Sequence, residues 1–295
     1  MIERTPILNA LTHVILITGL VLVLLPFAIV LAAATKDIQG VNQVPMSLIP
    51  GGHLIDNLAA AWDRAEFGPK LLNSLIVAVG VTVGKIVLAA LTAFSIVFFR
   101  YRARMLVFWL IFTTLMLPLE VRIVPTYSIA ANALSPFQSM LAAIGLQVDL
   151  QWNLLNSYTG LILPLIATAT GTFLYRQFFL TVPDELLEAS KMDGAGAMRF
   201  FAEILMPLSR TNMLALAAIL FVYSWNQYLW PLLVTTDQSF STAVVELKRL
   251  IPTNQGGLPE WNIAMAGTLI VMIPPLLVVA LMQRWFVRGL IATEK

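Results

Sequence analysis

Glu188-Ala189-Ser190-Lys191-Met192-Asp193-Gly194, followed after nine residues by Ile204-Leu205-Met206-Pro207, is a polar island in an otherwise oily chain. Pro183 suits a first helical position, and Asp184 and Glu185 complement the positive end of a helix dipole. The spacing predicts a short helix to about Asp193, ended by Gly194 in the left-handed conformation that glycine adopts without a Cβ clash. Gly196 leaves the next turn loose, and a second helix is expected from Ala197 until Pro207 stops it. Ala189, Ser190 and Gly194 are small, so the first helix could sit deep in a partner's cleft. An ordinary amphipathic surface helix is the plainer alternative, and the Ile204/Pro207 tail at its fixed spacing favours docking.

The rest of the chain is a different medium. Hydrophobic residues make up 59% and charged residues only 12%, against about 25% charged in soluble domains; mean hydropathy is +0.83. Six apolar blocks, at 11–34, 71–99, 105–125, 158–175, 211–234 and 263–283, are long enough at 1.5 Å per residue to cross a hydrocarbon layer of about 30 Å. Lipid offers no partner to an unpaired backbone group, so such spans must be helical. The expectation is an all-α membrane protein with six transmembrane helices in a single domain over 1–295, with the polar island in a loop at 176–210. The first block is longer than the core of a signal peptide and is followed by five more spans, so it is expected to remain as an anchor.

Charge sets the orientation. With the N-terminus inside, eleven Lys and Arg fall on cytoplasmic segments and five on outer ones. Both termini and the Glu188 loop are therefore expected in the cytoplasm. A pI near 9.0 is no sign of nucleic-acid binding here, since the net charge is only +2 and the basic residues sit in short connections. The absence of cysteine excludes disulfides and thiolate chemistry, and His13 and His53 give no metal-ligand spacing. The segment 135–156, with Trp152, is expected as a helix along the outer face.

The loop resembles the EAA loop of permeases in bacterial ABC importers: Glu-Ala-Ala, three residues, Gly, nine residues, Ile, one residue, Leu-Pro. This chain matches at Glu188, Ala189, Gly194, Ile204 and Pro207, and departs at Ser190 and Met206. Asn73-Ser74-Leu75, Leu155-Asn156-Ser157-Tyr158-Thr159-Gly160, Trp225-Asn226-Gln227-Tyr228-Leu229-Trp230-Pro231-Leu232 and Phe286-Val287-Arg288-Gly289-Leu290 resemble its carbohydrate-uptake, maltose permease-like branch. Met116-Leu117-Pro118-Leu119-Glu120-Val121-Arg122-Ile123 and the tail from Gly289 to Lys295 look most like permeases of sn-glycerol-3-phosphate importers. The resemblance implies a type I importer permease with a cytoplasmic coupling helix, in a bacterial inner membrane. It implies three partners: a dimer of ATP-binding subunits, a second homologous permease and an extracytoplasmic solute-binding protein. Coupling would pass through Glu185, Glu188, Ala189, Ser190, Asp193, Gly194 and Pro207. The chain itself would be no enzyme and bind no cofactor or metal, with ATP and magnesium on the partner ATPase.

The residues agree that no nucleotide site is present. Gly80-Val81-Thr82-Val83-Gly84-Lys85-Ile86 is one residue short of a phosphate-binding loop and lacks its Ser or Thr. It lies inside a span, where Gly80 and Gly84 suit close helix packing. Lys85 sits about 20 Å of helix from either end of its span, too far for its side chain to reach an interface. It should face a partner such as Glu120 or a wet cavity, and both readings stay open. Arg122 reads either as an interfacial anchor or as part of a cationic path. Lys85, Glu120 and Arg122 sum to one positive charge, which fits a phosphomonoester better than a neutral sugar. Trp225, Asn226, Gln227 and Tyr228 suit a hydroxyl-rich solute, and equally suit helix packing or an interfacial belt.

Three rival functions remain. A sugar permease would share the architecture. A secondary transporter would need intramembrane acids, of which only Glu120 lies within the spans, and a membrane enzyme would need a cluster of acid, base and nucleophile that is absent. Uptake by the assembled complex should therefore survive collapse of ion gradients while ATP is held constant, and should stop when ATP is withdrawn; the reverse pattern would mark a secondary carrier.

Overall fold

A computed structural model describes residues 6–114, 119–149, 151–167, 169–252 and 257–291. Among these residues every regular element is a helix. Apart from single turns at Ile38–Val41 and Gln238–Phe240, they are in chain order α1 (Pro6–Ala34), α2 (Leu54–Arg64), α3 (Phe67–Phe98), α4 (Arg104–Thr113), α5 (Leu119–Ala131), α6 (Ser135–Ala143), α7 (Tyr158–Leu165), α8 (Ala169–Phe179), α9 (Asp184–Met192), α10 (Ala197–Leu208), α11 (Arg210–Trp225), α12 (Leu229–Val234), α13 (Ala243–Arg249) and α14 (Trp261–Ile291).

Three continuous helices among the described residues are long and apolar enough to cross a bilayer: Ile7–Ala34, Phe67–Phe98 and Trp261–Gln283. Two further apolar lengths are broken. α7 and α8 meet at 49°, where Pro164 lies in a tightened last turn, and α10 and α11 meet at 76° around Ser209. The expected block 105–125 falls on the ten-residue α4 and the start of α5, and residues 115–118 between them lie outside the described set. The expected block 211–234 falls on α11 and α12, parted at 226–228. α14 runs on as helix through Pro274 and Pro275, where the sequence suggests a kink.

The segment 135–156 departs from the expected outer helix. Only Ser135–Ala143 is helical, and Gly145 at φ +82° begins an extended return. That return is bonded to the end of α5, with Leu154 N donating to Ala130 O at 2.8 Å and Ala133 N to Trp152 O at 2.9 Å. Backbone pairing with a neighbour replaces the pairing a longer helix would have supplied.

The chain forms two compact units. The first takes the chain up to Pro69 together with Glu246–Ile273; the second takes Lys70–Val245 and the chain from Pro274 onward. In the first, α1 leaves its apolar flank wholly uncovered, as a helix facing lipid or another membrane protein would. Its last carbonyls are closed by Asn57, whose amide donates to Ala34 O at 2.9 Å and Lys36 O at 2.7 Å. Asn262 then donates to Asn57 Oδ1 at 2.8 Å, so one buried amide chain ties α2 and α14 to the end of α1. Arg64 and Glu260 pair at 2.5 Å on the surface, and the hydrogen bond that Arg64 donates to Glu260 raises the Arg64 pKa.

The second unit is built around α3, which is packed on several faces. Val77 and Val81 join Ile123, Leu161, Leu165 and Trp230. Ala78 meets Phe221 and Trp225. Ala89, Ala90, Ala93 and Phe94 meet Tyr175, Phe179, Phe200, Leu205 and Leu216. A helix apolar all round belongs in such a core. Its glycines fix the closest approach: a Cβ on Gly80 would lie 2.6 Å from Ile162 Cδ1, and one on Gly84 would overlap the branched end of Ile166. Close helix packing was the sequence reading of both glycines.

Gly84→Ala should force α3 and α7 apart and lower stability by about 1–3 kcal/mol, seen as a drop in the Tm of the detergent-purified complex. Gly19→Ala, whose Cβ meets nothing within 4 Å, is the control and should leave Tm in place.

Candidate functional site

The loop that carries Glu188 is a helix pair set on a buried floor. Pro183 stands one position before α9, with φ −60° and ψ 136°, as the capping residue rather than the first helical one. Its ring fixes φ at a value both positions accept, and the extended ψ is what turns the chain into the helix. Asp184 and Glu185 then occupy the first turn. At the other end Ala195 N donates to Ser190 O at 2.9 Å around Gly194 at φ +73°, the six-residue closure typical of a glycine-ended helix.

Pro207 does not stop α10. The backbone widens over Phe201–Leu205, Met206 N reaches back to Phe201 O, and helix continues to Leu208 before the turn at Ser209. The wider turn absorbs a residue that lacks an N–H and crowds the preceding carbonyl. Phe200 and Leu205 are buried in the core around α3, and Leu187 and Ile204 pack against it. The loop is thus fixed from beneath.

What it shows outward is specific. Glu185, Glu188, Ala189, Asp193 and Gly194 are exposed, flanked by Met192 at 83% and Met198 at 61% exposure. Ser190 faces inward instead, buried with its hydroxyl donating to Leu187 O at 2.8 Å. The outward face combines acidic groups, a small side chain and two flexible thioethers.

Within the apolar region, Lys85 is 5% exposed and its ammonium lies 4.1 Å from the centroid of the Tyr223 ring. On α5, Ile123 shares a buried cluster with Val77 and Val81, the latter one turn from Lys85 on α3. Arg122, next to Ile123, is exposed. The Glu120 side chain lies outside the described residues. Trp225 is buried and stacked on Phe221 with centroids 5.8 Å apart. Asn226 is exposed, Gln227 donates to Tyr223 O at 3.3 Å, and Tyr228 is half-buried before α12. The structure therefore brings Lys85 and Tyr223 together and sets Trp225 in packing contacts.

The sequence reading gave no role to a polar staple that fixes the loop between α12 and α13. Asn73 donates to Ser239 O at 2.7 Å and Ser241 O at 2.9 Å, and accepts from Tyr158 Oη at 2.7 Å. Ser74 Oγ accepts from Ala243 N at 2.8 Å, and the buried Lys70 ammonium donates to Gln238 O. Asn156, at φ +53°, accepts from Thr236 N and Asp237 N at 2.8 Å each. Asp237 in turn caps Ser239 N, a backbone hydrogen bond that holds its carboxyl below the ordinary range. Asn73-Ser74 and Asn156-Ser157-Tyr158 entered the sequence reading only through their resemblance to the carbohydrate-uptake branch; their partners, 80 to 169 positions away, did not enter it.

Residues 85–292 match the family described as binding-protein-dependent transport system inner membrane component. The chain is 50% identical over 301 residues to the sn-glycerol-3-phosphate transport system permease protein UgpE of Yersinia pestis bv. Antiqua, with both chains fully covered. Identity is 49% to the protein of that name in Pectobacterium atrosepticum and 48% to that of Escherichia coli O157:H7, again over full lengths. Among solved structures, a chain of a bacterial ABC transporter involved in the import of the acidic polysaccharide alginate superposes with a TM-score of 0.77 at 16% identity, covering 97% of this chain and 99% of that one; at that identity the likeness is one of fold.

Asn73→Ala would leave two carbonyls and the Tyr158 hydroxyl without their partner, at about 1–3 kcal/mol. Amide hydrogen exchange over 236–243 in the complex should quicken accordingly; unchanged protection would show that the staple is not what holds the loop.

Proposed function

The chain belongs to the binding-protein-dependent transport system inner membrane components, and on that premise we propose that it is a permease subunit of an ATP-driven importer of sn-glycerol-3-phosphate or a related glycerophosphodiester. The observation that carries this reading is full-length identity of about half to three permeases named for sn-glycerol-3-phosphate transport. The exposed loop supports it. α9 presents Glu185, Glu188, Ala189 and Asp193 on a helix closed by Gly194, over a buried floor that continues into α3. A push on that helix is passed to the packed core and not lost in a flexible strand.

In this reading a dimer of ATP-binding subunits closes on ATP and moves the α9–α10 pair, with both chain termini on the same side. The helices around α3 then rock toward an outward-open state, and a solute-binding protein releases cargo to the path formed with a second permease. This chain's residues hold no nucleotide; the energy arrives mechanically through the loop. Glu188 and Gly194 are the coupling residues, Ser190 supports the helix from inside, and Pro207 shapes the widened turn beneath it.

Gly194→Val places a β-branched residue at φ +73°, costing about 1–3 kcal/mol locally. In the reconstituted complex it should lower ATPase stimulation by the loaded binding protein about tenfold, and Glu188→Lys should weaken co-purification of the ATPase. Full coupling in both variants would remove the loop from the mechanism. Stimulation by a neutral sugar and by no glycerol phosphate would overturn the cargo.

A further inference from the structure

Phe99-Arg100-Tyr101-Arg102-Ala103-Arg104 links the end of α3 to the start of α4. Arg100 and Arg102 are exposed and alternate with the exposed Phe99 and Tyr101, and Arg104 is half-buried. Aromatic rings interleaved with cations at the end of apolar helices suit the layer between hydrocarbon and water. Such a charge run is usually just solvated; a fourth arginine sets this one apart. Arg176, in the last turn of α8, lays its guanidinium over the buried Phe108 ring of α4, 4.3 Å from the centroid. Its Nε is buried without an acceptor among the described residues, while the side chain as a whole is half-buried. A ring face holds a cation without neutralising it.

The register of the seam places a second arginine beside it. The Phe112 and Phe173 rings meet at 5.7 Å. Phe112 lies one turn after Phe108 and Phe173 one turn before Arg176, so α4 and α8 run antiparallel. One turn back from Phe108, on the same face of α4, is Arg104. Arg104 and Arg176 thus flank Phe108 at one end of the seam. The positive start of α4 and the negative end of α8 lie side by side there and offset one another, which leaves the charge of the arginines. Among the described residues no carboxylate lies within ion-pair distance of Arg100, Arg102, Arg104 or Arg176. Glu203, on the helix that reaches the end of α3 through Phe98 and Phe200, is taken by Arg199 at 2.9 Å. Glu120 lies beyond the other end of the ten-residue α4.

We propose that Arg104 and Arg176, with Phe108 as the positioning residue for Arg176 and Arg100 and Arg102 alongside, bind the headgroup phosphate of an anionic phospholipid at the end of the α4–α8 seam. A guanidinium fork matches phosphate oxygens two at a time, and a basic pocket between membrane helices suits an acidic headgroup. Exposed apolar groups continue the seam, with Trp109 in ring contact with Phe108 and Phe112, and Leu174 next to Phe173. These offer acyl chains a flank that a free phosphate has no use for, so the lipid is the occupant. The proposal needs these helices to lie in a bilayer and is independent of the cargo.

The test titrates the full detergent-purified complex with phosphatidylglycerol or phosphatidylcholine and counts bound lipid by native mass spectrometry. The unaltered complex should prefer phosphatidylglycerol, and Arg104→Gln and Arg176→Gln should each cut that preference about tenfold, the loss of a charge-assisted hydrogen bond. Arg176→Lys, which keeps the charge without the fork, should retain part of it. Phe108→Leu should lower the preference, and Phe108→Tyr, which keeps the ring face, should restore it. Arg64→Gln, at an arginine already paired with Glu260, should leave it unchanged; a fall equal to that of Arg176→Gln would mark a general effect of charge and overturn the proposal. Equal retention of both lipids by the unaltered complex would overturn it without any variant. So would displacement of phosphatidylglycerol by inorganic phosphate at matched concentration, which would assign the arginines to a soluble anion. Loss of the ATPase from the arginine variants with lipid retention intact would likewise overturn it and assign them to a protein contact.

Discussion

The rest of the second unit depends on how closely other helices can approach α3. Gly80 and Gly84 remove side chains where Ile162 and Ile166 press in, and Ala78, Ala89, Ala90 and Ala93 keep other faces narrow. In a bilayer the hydrophobic effect does not draw helices together, since lipid is as apolar as leucine; close packing has to do it. Small residues on several faces of one helix therefore decide which neighbours it can hold. They also place Lys85 on a helix too crowded to let its side chain escape.

Polar groups do the fixing at the ends. Asn57 and Asn262 close the end of α1, and Asn73, Ser74, Asn156 and Tyr158 hold the loop after α12. Buried polar groups carry a heavy penalty unless paired, so a side chain that finds its backbone partners pins a loop with more precision than apolar contact can. The two networks lie in separate compact units, and each keeps its helix ends in register by itself.

The loop of α9 and α10 applies the same logic to motion. Its inner face is tied into the core through Phe200, Leu205 and Leu187, and Ser190 is turned inward and bonded to the helix backbone. Its outer face shows exposed acidic and thioether groups, with one ion pair across it between Arg199 and Glu203 at 2.9 Å. A surface rigid beneath and exposed above is suited to transmitting force from a neighbouring protein. The widened turn before Pro207 and the 76° bend at Ser209 redirect the chain into α11.

Hydropathy alone determined that the chain is membrane-spanning and helical, because lipid leaves the backbone no other way to pair. Local chemistry also foretold Gly194, whose positive φ only glycine accepts freely, and the packing role of Gly80 and Gly84. Tertiary structure decided the rest. Pro207 was read as a stop because its local effect is to break an α-turn, yet neighbours holding Phe200 and Leu205 let the turn widen instead. Pro183 shifted by one position because its fixed φ serves on either side of a helix start. Trp225 lies in packing contacts and Tyr223 meets Lys85 because rotation about each helix axis, which no pattern of uniformly apolar residues encodes, selects which side chain faces which neighbour. Asn73 and Asn156 entered the sequence reading only through resemblance; what they hold lies up to 168 positions away, and only the folded chain brings those partners within reach.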